Sequence, residues 1–424
     1  MRWIKRINDP NIWRVYVATL ILGLGYGMAI SLLPLLLNAK GFDKQSIGTL
    51  AAWFAAGIVA LSLPMSSLIQ RFTAKVTLTA SLFGYALTVG VFPFLESYEA
   101  MAAVRFFDGA FSVAIWVSCE TILLARAGSS NKAFVMSLYA IAISLGYIGG
   151  PWLSWTITPL ASMNAGFVAA GVLATLAAVF TLVRLERELP IHHDEEHGQT
   201  VAAGSNAEHD ALRVVGDADM VTAGQLLWRI KNSCFATFAY GYFQVSVVLF
   251  LPLFMMESKG IAQKDTITIS FYFAAGMLVF LNIAARIGDR FGHLFTMRVL
   301  GTIGGFMVLG FAFLDSYALM CIAIMIAGAT LASISPVSLA LQGVVVERQN
   351  YARANSIYNV FYAAGMLLGP PISSILFSRY GGAVMLYHLA ALWGAFVLFT
   401  LVFYRDDPAA RGVVFVKPGT AAEG

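Results

Sequence analysis

Charge is scarce in this sequence. Only 12% of its 424 residues are Asp, Glu, Lys or Arg, and 59% are hydrophobic, whereas soluble globular domains carry about 25% charged residues. That balance argues against a soluble enzyme or binding domain. Cysteine is nearly absent: Cys119, Cys234 and Cys321 all fall inside apolar runs, so neither a disulfide framework nor a closely spaced thiolate metal site is expected. The sequence has no H-E-x-x-H, G-x-S-x-G or phosphate-binding P-loop, so enzyme chemistry, a resident metal, a cofactor and direct use of ATP are not expected. Period-2 alternation between turn signals is also missing, which excludes a transmembrane barrel.

What the chain has instead is apolar length. Runs near or above the roughly 18 residues that span a bilayer as helix begin close to residues 13, 46, 76, 101, 134, 163, 233, 266, 296, 317, 354 and 383. Spans of this kind satisfy their backbone groups internally as helices. An all-α membrane protein with twelve transmembrane helices is therefore predicted. The first run follows MRWIKRINDPNIWR, is too long for a signal-peptide core, and is expected to remain as helix 1.

Basic residues give the orientation, because Lys and Arg accumulate in cytoplasmic segments. With the N-terminus inside, 21 of the 27 Lys and Arg lie in inner segments, 5 lie in outer loops, and Arg105 alone falls within a span. Both termini are predicted cytoplasmic, in a plasma membrane (the inner membrane of a bacterium). The net charge of +4 follows from this topology and implies no nucleic-acid partner. Membrane lipids are the surrounding partner.

The chain is doubled. At an offset of 219, residues 131–154 and 350–373 are identical at 8 of 24 positions, where composition alone gives roughly two. Gly146, Gly150 and Pro151 pair with Gly365, Gly369 and Pro370, and the same offset pairs Phe54-Ala55-Ala56-Gly57 with Phe273-Ala274-Ala275-Gly276, and Gly109 with Gly328. Such repeats are common in transporters. The predicted units are an N-terminal six-helix bundle (1–183), a cytoplasmic linker (184–222), a C-terminal six-helix bundle (223–405) and a cytoplasmic tail (406–424). The linker carries His192, His193 and His197 in HHDEEH, which reads either as a solvated acidic segment or as a metal tract; nothing around it fixes ligand geometry.

Two six-helix halves joined in this way resemble the major facilitator superfamily, and particular motifs carry the resemblance across nearly the whole chain. Asp289-Arg290-Phe291-Gly292 is similar to the D-R-x-G core of that family's loop signature. In the first half Ser66, Gln70 and Thr73 stand where the family has Gly, Asp and Gly, while Arg71 and Lys75 keep positive charge. The resemblance implies a gating latch at these loops; Arg71 and Lys75 read equally well as inside-positive anchors. Arg105-Phe106-Phe107-Asp108-Gly109 resembles the family's R-x-x-Q-G, with Asp in place of Gln. The stretch from Gly146 to Ser154 is similar to the helix-5 motif of the family's antiporters, although Ser154-Trp155 replaces its terminal Gly-Gly. Small residues four apart permit close helix contact and proline permits bending, so helices 5 and 11 are expected to serve as symmetric rocking contacts; packing alone is the other reading.

Helix 4 concentrates what little charge enters the spans. At 100° per residue Arg105, Asp108, Trp116 and Glu120 lie within about 60° of one meridian, so helix 4 has one polar face. A charge at mid-bilayer costs about 2.5 to 3.5 kcal/mol on insertion scales, so such groups seek a cavity or a partner. Their counterparts at the repeat offset are Ile324, Ala327 and Leu339, so the fold itself does not demand them. Arg105 and Asp108, at i and i+3, read either as a structural ion pair or as a solute and proton site, and Glu120 either as a snorkelling interfacial carboxylate or as a second proton carrier. The family's arrangement, in which helices 1, 4, 7 and 10 line the centre, further implies Tyr26, Ser31, Tyr240, Tyr242, Gln244, Ser333 and Ser335 as cavity groups. Helices 5, 8 and 11 add Tyr147, Asn282, Tyr358, Asn359 and Tyr362.

The expectation is a monomeric secondary transporter that moves a small solute by alternating access, with proton-coupled efflux as the leading form. An uptake carrier for a small metabolite or siderophore, and a solute sensor that kept the fold without transport, are the alternatives.

Overall fold

The computed structural model describes residues 9–62, 64–127, 132–186, 222–347 and 350–406. Among these, twelve long helices follow one another: α1 (Pro10–Ala39), α2 (Lys44–Ser62), α3 (Ala74–Val91), α4 (Tyr98–Arg126), α5 (Lys132–Ile157), α6 (Met163–Arg184), α7 (Ala223–Lys259), α8 (Ile269–Phe291), α9 (His293–Phe311), α10 (Tyr317–Val345), α11 (Tyr351–Tyr380) and α12 (Gly382–Val402). No strand occurs among the described residues. Ten of the helices meet a membrane-span criterion of length and hydropathy; the other two, α5 and α8, run 26 and 23 residues, long enough to cross a bilayer. The HHDEEH run lies outside the described residues.

Helix starts follow the local chemistry. The side chains of Asp9, Ser97 and Ser162 accept from backbone amides at the first turns of α1, α4 and α6, and Thr222 with Gln225 closes a capping box on α7. Asp9 also accepts from Arg126 at 2.9 Å. Burial pushes the Asp9 carboxyl up, but its bonds from Asn11 and Arg126 outweigh this and hold it below its usual value. Arg14 to Glu186, at 3.0 Å, joins the ends of α1 and α6 in the same way.

Glycines set the closest helix crossings, and they repeat at the sequence offset. A Cβ on Gly57 would sit 1.9 Å from the Phe106 carbonyl oxygen and one on Gly109 1.9 Å from that of Phe54, which fixes α2 against α4. Their partners at the offset do the same for α8 and α10: 1.9 Å from Met325 O for Gly276, and 2.3 Å from Phe273 O for Gly328. The motif glycines of α5 face α1 within the same half. A Cβ on Gly146 would lie 2.5 Å from the Gly23 Cα and one on Gly150 2.6 Å from the Gly27 Cα, and Gly365 and Gly369 of α11 approach Phe238 and Tyr242 of α7 in the corresponding way. The expected rocking contact is thus, at these glycines, an internal packing surface of each half. Close backbone approach in lipid is gained by removing side chains, and only small residues permit it here.

The halves meet at the end opposite the linker, here called the far end. Lys44 of α2 pairs with Glu257 of α7 at 2.9 Å and its ammonium lies 4.8 Å from the Phe377 ring centre of α11. Nearby, Gly48 lets α2 approach Pro370 and Ser374. At the linker end the ion pairs found among the described residues, Arg14–Glu186, Arg126–Asp9, Arg229–Glu347 and Lys231–Asp406, each join residues of one half. These contacts hold the two halves together at the far end.

The two linker-end turns differ in one instructive residue. Thr73 sits at φ 71°, ψ 153°, and Gly292, its counterpart at the offset, at φ 98°, ψ 139°. Glycine adopts this region freely, whereas a β-branched residue is strained there by about 1 to 3 kcal/mol. Thr73→Gly is therefore expected to raise stability by about 1 kcal/mol, read as a higher unfolding midpoint in detergent; an unchanged midpoint would mean the turn relaxes around threonine. The guanidiniums of Arg71 and Arg290 each lie 5.3 Å from the ring centre of the following phenylalanine. The side chains of Ser66, Gln70 and Asp289 lie outside those described.

Candidate functional site

A helix can bring residues i and i+3 to one side, and α4 does so with Arg105 and Asp108. Arg105 Nη1 donates to Asp108 Oδ2, and its guanidinium lies 4.4 Å from the Phe54 ring centre. Asp108 is only 5% exposed. The pair lies about 10 Å along α4 from Tyr98, hence nearer the far end than the linker. Ile324 and Ala327, the α10 counterparts, are buried and apolar, so the ionic feature belongs to the first half alone.

The pair borders a cavity of about 270 Å³ lined from both halves. On one side stand Tyr26, Phe54, Tyr85, Trp116, Tyr147 and Phe167, and on the other Gln244, Val245, Tyr362 and Met366. Tyr26 organises the first wall: its ring centre is 4.4 Å from Tyr85, 6.3 Å from Trp116 and 6.1 Å from Tyr147, and its hydroxyl donates to Ser112 Oγ at 2.6 Å. Across the cavity Tyr362 donates to Gln244 Oε1 at 3.1 Å and stacks on Tyr240 at 6.2 Å. Three buried polar atoms beside this space have no partner: Asp108 Oδ1, Arg105 Nε and Trp116 Nε1. Buried polar groups are normally satisfied, so an orphaned acceptor and two orphaned donors buried beside one cavity single out this stretch of wall as the candidate site.

The sequence expectations are sorted by this geometry. Arg105, Asp108, Tyr26, Trp116, Tyr147, Gln244 and Tyr362 are brought together around one space. Other expected lining groups spend their polar atoms within their own half: Tyr242 bonds His388 Nε2 at 2.9 Å, Tyr358 bonds Ser335 and Ser338 at 3.0 Å, and Ser333 bonds the Ala329 carbonyl at 2.6 Å. Ser31 is turned to the Met28 carbonyl and to Ser154. Tyr240 stands behind Tyr362, Asn359 is exposed, and the side chain of Asn282 lies outside those described. Glu120 is exposed on the same helix, twelve residues and about 18 Å from Asp108, and is not part of the cavity wall. Sequence reasoning missed Phe54, Tyr85, Phe92 and Phe167, which line the space from α2, α3, the turn after α3, and α6. The only available signal was Phe54, whose tetrapeptide repeats at the offset.

The Major Facilitator Superfamily profile matches residues 15–317 and 233–421. The uncharacterized MFS-type transporter YcaD of Shigella flexneri serotype 5b is 24% identical over 390 residues, covering 90% of this chain and 93% of that protein. The uncharacterized MFS-type transporter MJ1560 of Methanocaldococcus jannaschii is 22% identical over 178 residues, 42% of this chain and 46% of its own length. Among solved structures, the nucleoside transporter NupG superposes with a TM-score of 0.73 at 14% identity, covering 94% of this chain and all of that one. A POT family transporter bound to a thioalcohol-conjugated peptide gives 0.74 at 12% identity, covering 93% and 96%. These likenesses concern the fold.

Proposed function

Because this chain belongs to the Major Facilitator Superfamily and is a membrane transporter, we propose that it exports a small solute from the cytoplasm in exchange for protons. The observation that carries the proposal is Asp108: one carboxylate oxygen is bonded to Arg105 and the other lies unpartnered at the cavity. A carboxylate placed so can take a proton or a solute donor, one in place of the other, and that exclusion is what exchange requires. Arg105 fixes the orientation of the carboxyl group through its bond to Oδ2. The resemblances of α4 to the family's R-x-x-Q-G and of α5 to its antiporter motif support the outward direction.

In this reading the units are residues 1–183 and 223–405, joined by a linker over 184–222, and they rock about the far-end contacts. The 21 basic residues against 5 support a bacterial inner membrane with linker and termini in the cytoplasm. The cavity is then reached from the cytoplasm while Lys44–Glu257 closes the outside. Both walls come from one chain, so a monomer suffices. Arg71, Lys75, Asp289, Arg290 and Gly292 form the linker-end turns that open and close in the cycle.

The test uses proteoliposomes in a cytosolic metabolite extract, with their contents profiled after a pH gradient is imposed. Exchange with protons predicts a solute that accumulates when the lumen is acid, because protons leaving drive solute in. Accumulation only when the lumen is alkaline would identify proton-coupled uptake, and solute that binds without crossing would identify a sensor.

A further inference from the structure

The cavity constrains its occupant in three independent ways. Its volume of about 270 Å³ lies just below the roughly 300 to 1,000 Å³ usual for drug-sized ligands, so the solute is small. Its walls offer flat aromatic faces from both halves, with Tyr26, Tyr85, Trp116 and Tyr147 on one side and Tyr362 on the other. Aromatic faces favour ring partners over flexible aliphatic ones, and a ring between the two halves touches both moving parts.

Charge is the third constraint. Arg105 and Asp108 are the only Asp, Glu, Lys, Arg or His among the cavity-lining residues, and they neutralise each other. An ammonium drawn to Asp108 would meet Arg105, and a carboxylate drawn to Arg105 would meet Asp108, in a site where desolvating a charge is costly. Hydrogen bonding remains open at two places: the ion pair, where Asp108 Oδ1 and Arg105 Nε both lack partners, and the Trp116 Nε1 donor. Asp108 and Trp116 lie eight residues apart on α4, about 12 Å of helical rise, which a hydrogen bond of about 3 Å at each end reduces to about 6 Å. A fused or substituted ring fits the span.

We infer that the cavity takes an uncharged heteroaromatic solute with a hydrogen-bond donor at one end, received by Asp108, and an acceptor at the other, received by Trp116. This rests on the transport reading for its physiological meaning, but binding can be measured without it. The experiment is equilibrium binding of labelled adenine, tryptamine, indole-3-acetate and glucose to the purified full chain. Adenine alone of the four is expected to bind saturably. Trp116→Phe, which keeps a ring and removes the donor, should weaken adenine about fivefold, the worth of one neutral hydrogen bond, with an unchanged unfolding midpoint. Trp116→Ala should abolish binding. Preference for tryptamine or indole-3-acetate, equal binding of glucose, or no binding by any of the four would overturn the inference. If adenine binds but does not enter proteoliposomes, the transport reading fails and the inference stands. If a solute of another class is carried while adenine does not bind, the inference fails and the transport reading stands.

Discussion

Asp108→Asn should abolish proton-driven accumulation while leaving solute exchange across the membrane intact. For one proton exchanged against one neutral solute, each pH unit supplies about 1.4 kcal/mol, which corresponds to about tenfold accumulation. Asparagine preserves the shape of the group but carries no exchangeable proton, so the variant should equilibrate its solute to a ratio near one. The substitution also strands Arg105, which is otherwise bonded to Asp108 beside the Phe54 ring, and an unpaired buried charge destabilises. Solute-for-solute exchange at equal amounts of folded protein is therefore measured alongside. Loss of both activities would point to a structural ion pair. Retained tenfold accumulation would move proton coupling elsewhere, with Glu120 the first position to test.

The largest structural effect is expected at Gly57. Its missing Cβ would lie 1.9 Å from the Phe106 carbonyl oxygen, and backbone cannot yield there without parting α2 from α4. Overpacking costs about 1 to 3 kcal/mol even where side chains can move, so Gly57→Leu should exceed that range and yield no monodisperse protein by size-exclusion chromatography. Gly276→Leu should behave alike, since Gly276 meets Met325 O at the same distance. Gly394→Ala on α12 is the contrast, because nothing lies within 4 Å of its would-be Cβ; alanine there should stabilise slightly, by about 0.5 to 1 kcal/mol. Tolerance of Gly57→Leu would show that α2 and α4 are not held at this distance.

The ion pair and the glycine crossings differ in how plainly the sequence foretells them. The glycine crossings were legible because the offset of 219 carries Gly57 onto Gly276 and Gly109 onto Gly328, and a fold built twice must solve one packing problem twice. The helices were legible because bilayer length leaves few alternatives. The Arg105–Asp108 pair followed from i, i+3 spacing and from the cost of charge in a span. What the sequence concealed is which aromatic residue meets the cavity. Tyr85 and Tyr242 look alike in an apolar run, but Tyr85 borders the cavity while Tyr242 is turned to His388 on α12. The motif around Gly150 was legible as a close contact, while its partner, α1 of the same half rather than the opposite half, depended on the rotation of α5. Glu120 lies about 120° around α4 from Asp108 and about 18 Å along it, and the two offsets together give an exposed and a buried carboxylate on one helix.

We propose alternating access between a state closed at the far end and its opposite, and distances across the two ends test it most directly. Met163 and Gln263 face each other across the halves at the far end, with Gln263 Nε2 3.3 Å from Met163 Sδ. Ala125 and Val344, one offset apart, occupy matching exposed positions at the linker end. Because Cys119, Cys234 and Cys321 are buried, spin labels can be placed selectively through Met163→Cys with Gln263→Cys, and Ala125→Cys with Val344→Cys. Electron-electron distance measurements on the wild-type background and with Lys44→Glu, which sets like charge against Glu257, should show the far-end distance lengthening as the linker-end distance shortens. Two distances that stay fixed, or that change in the same sense, would contradict the account.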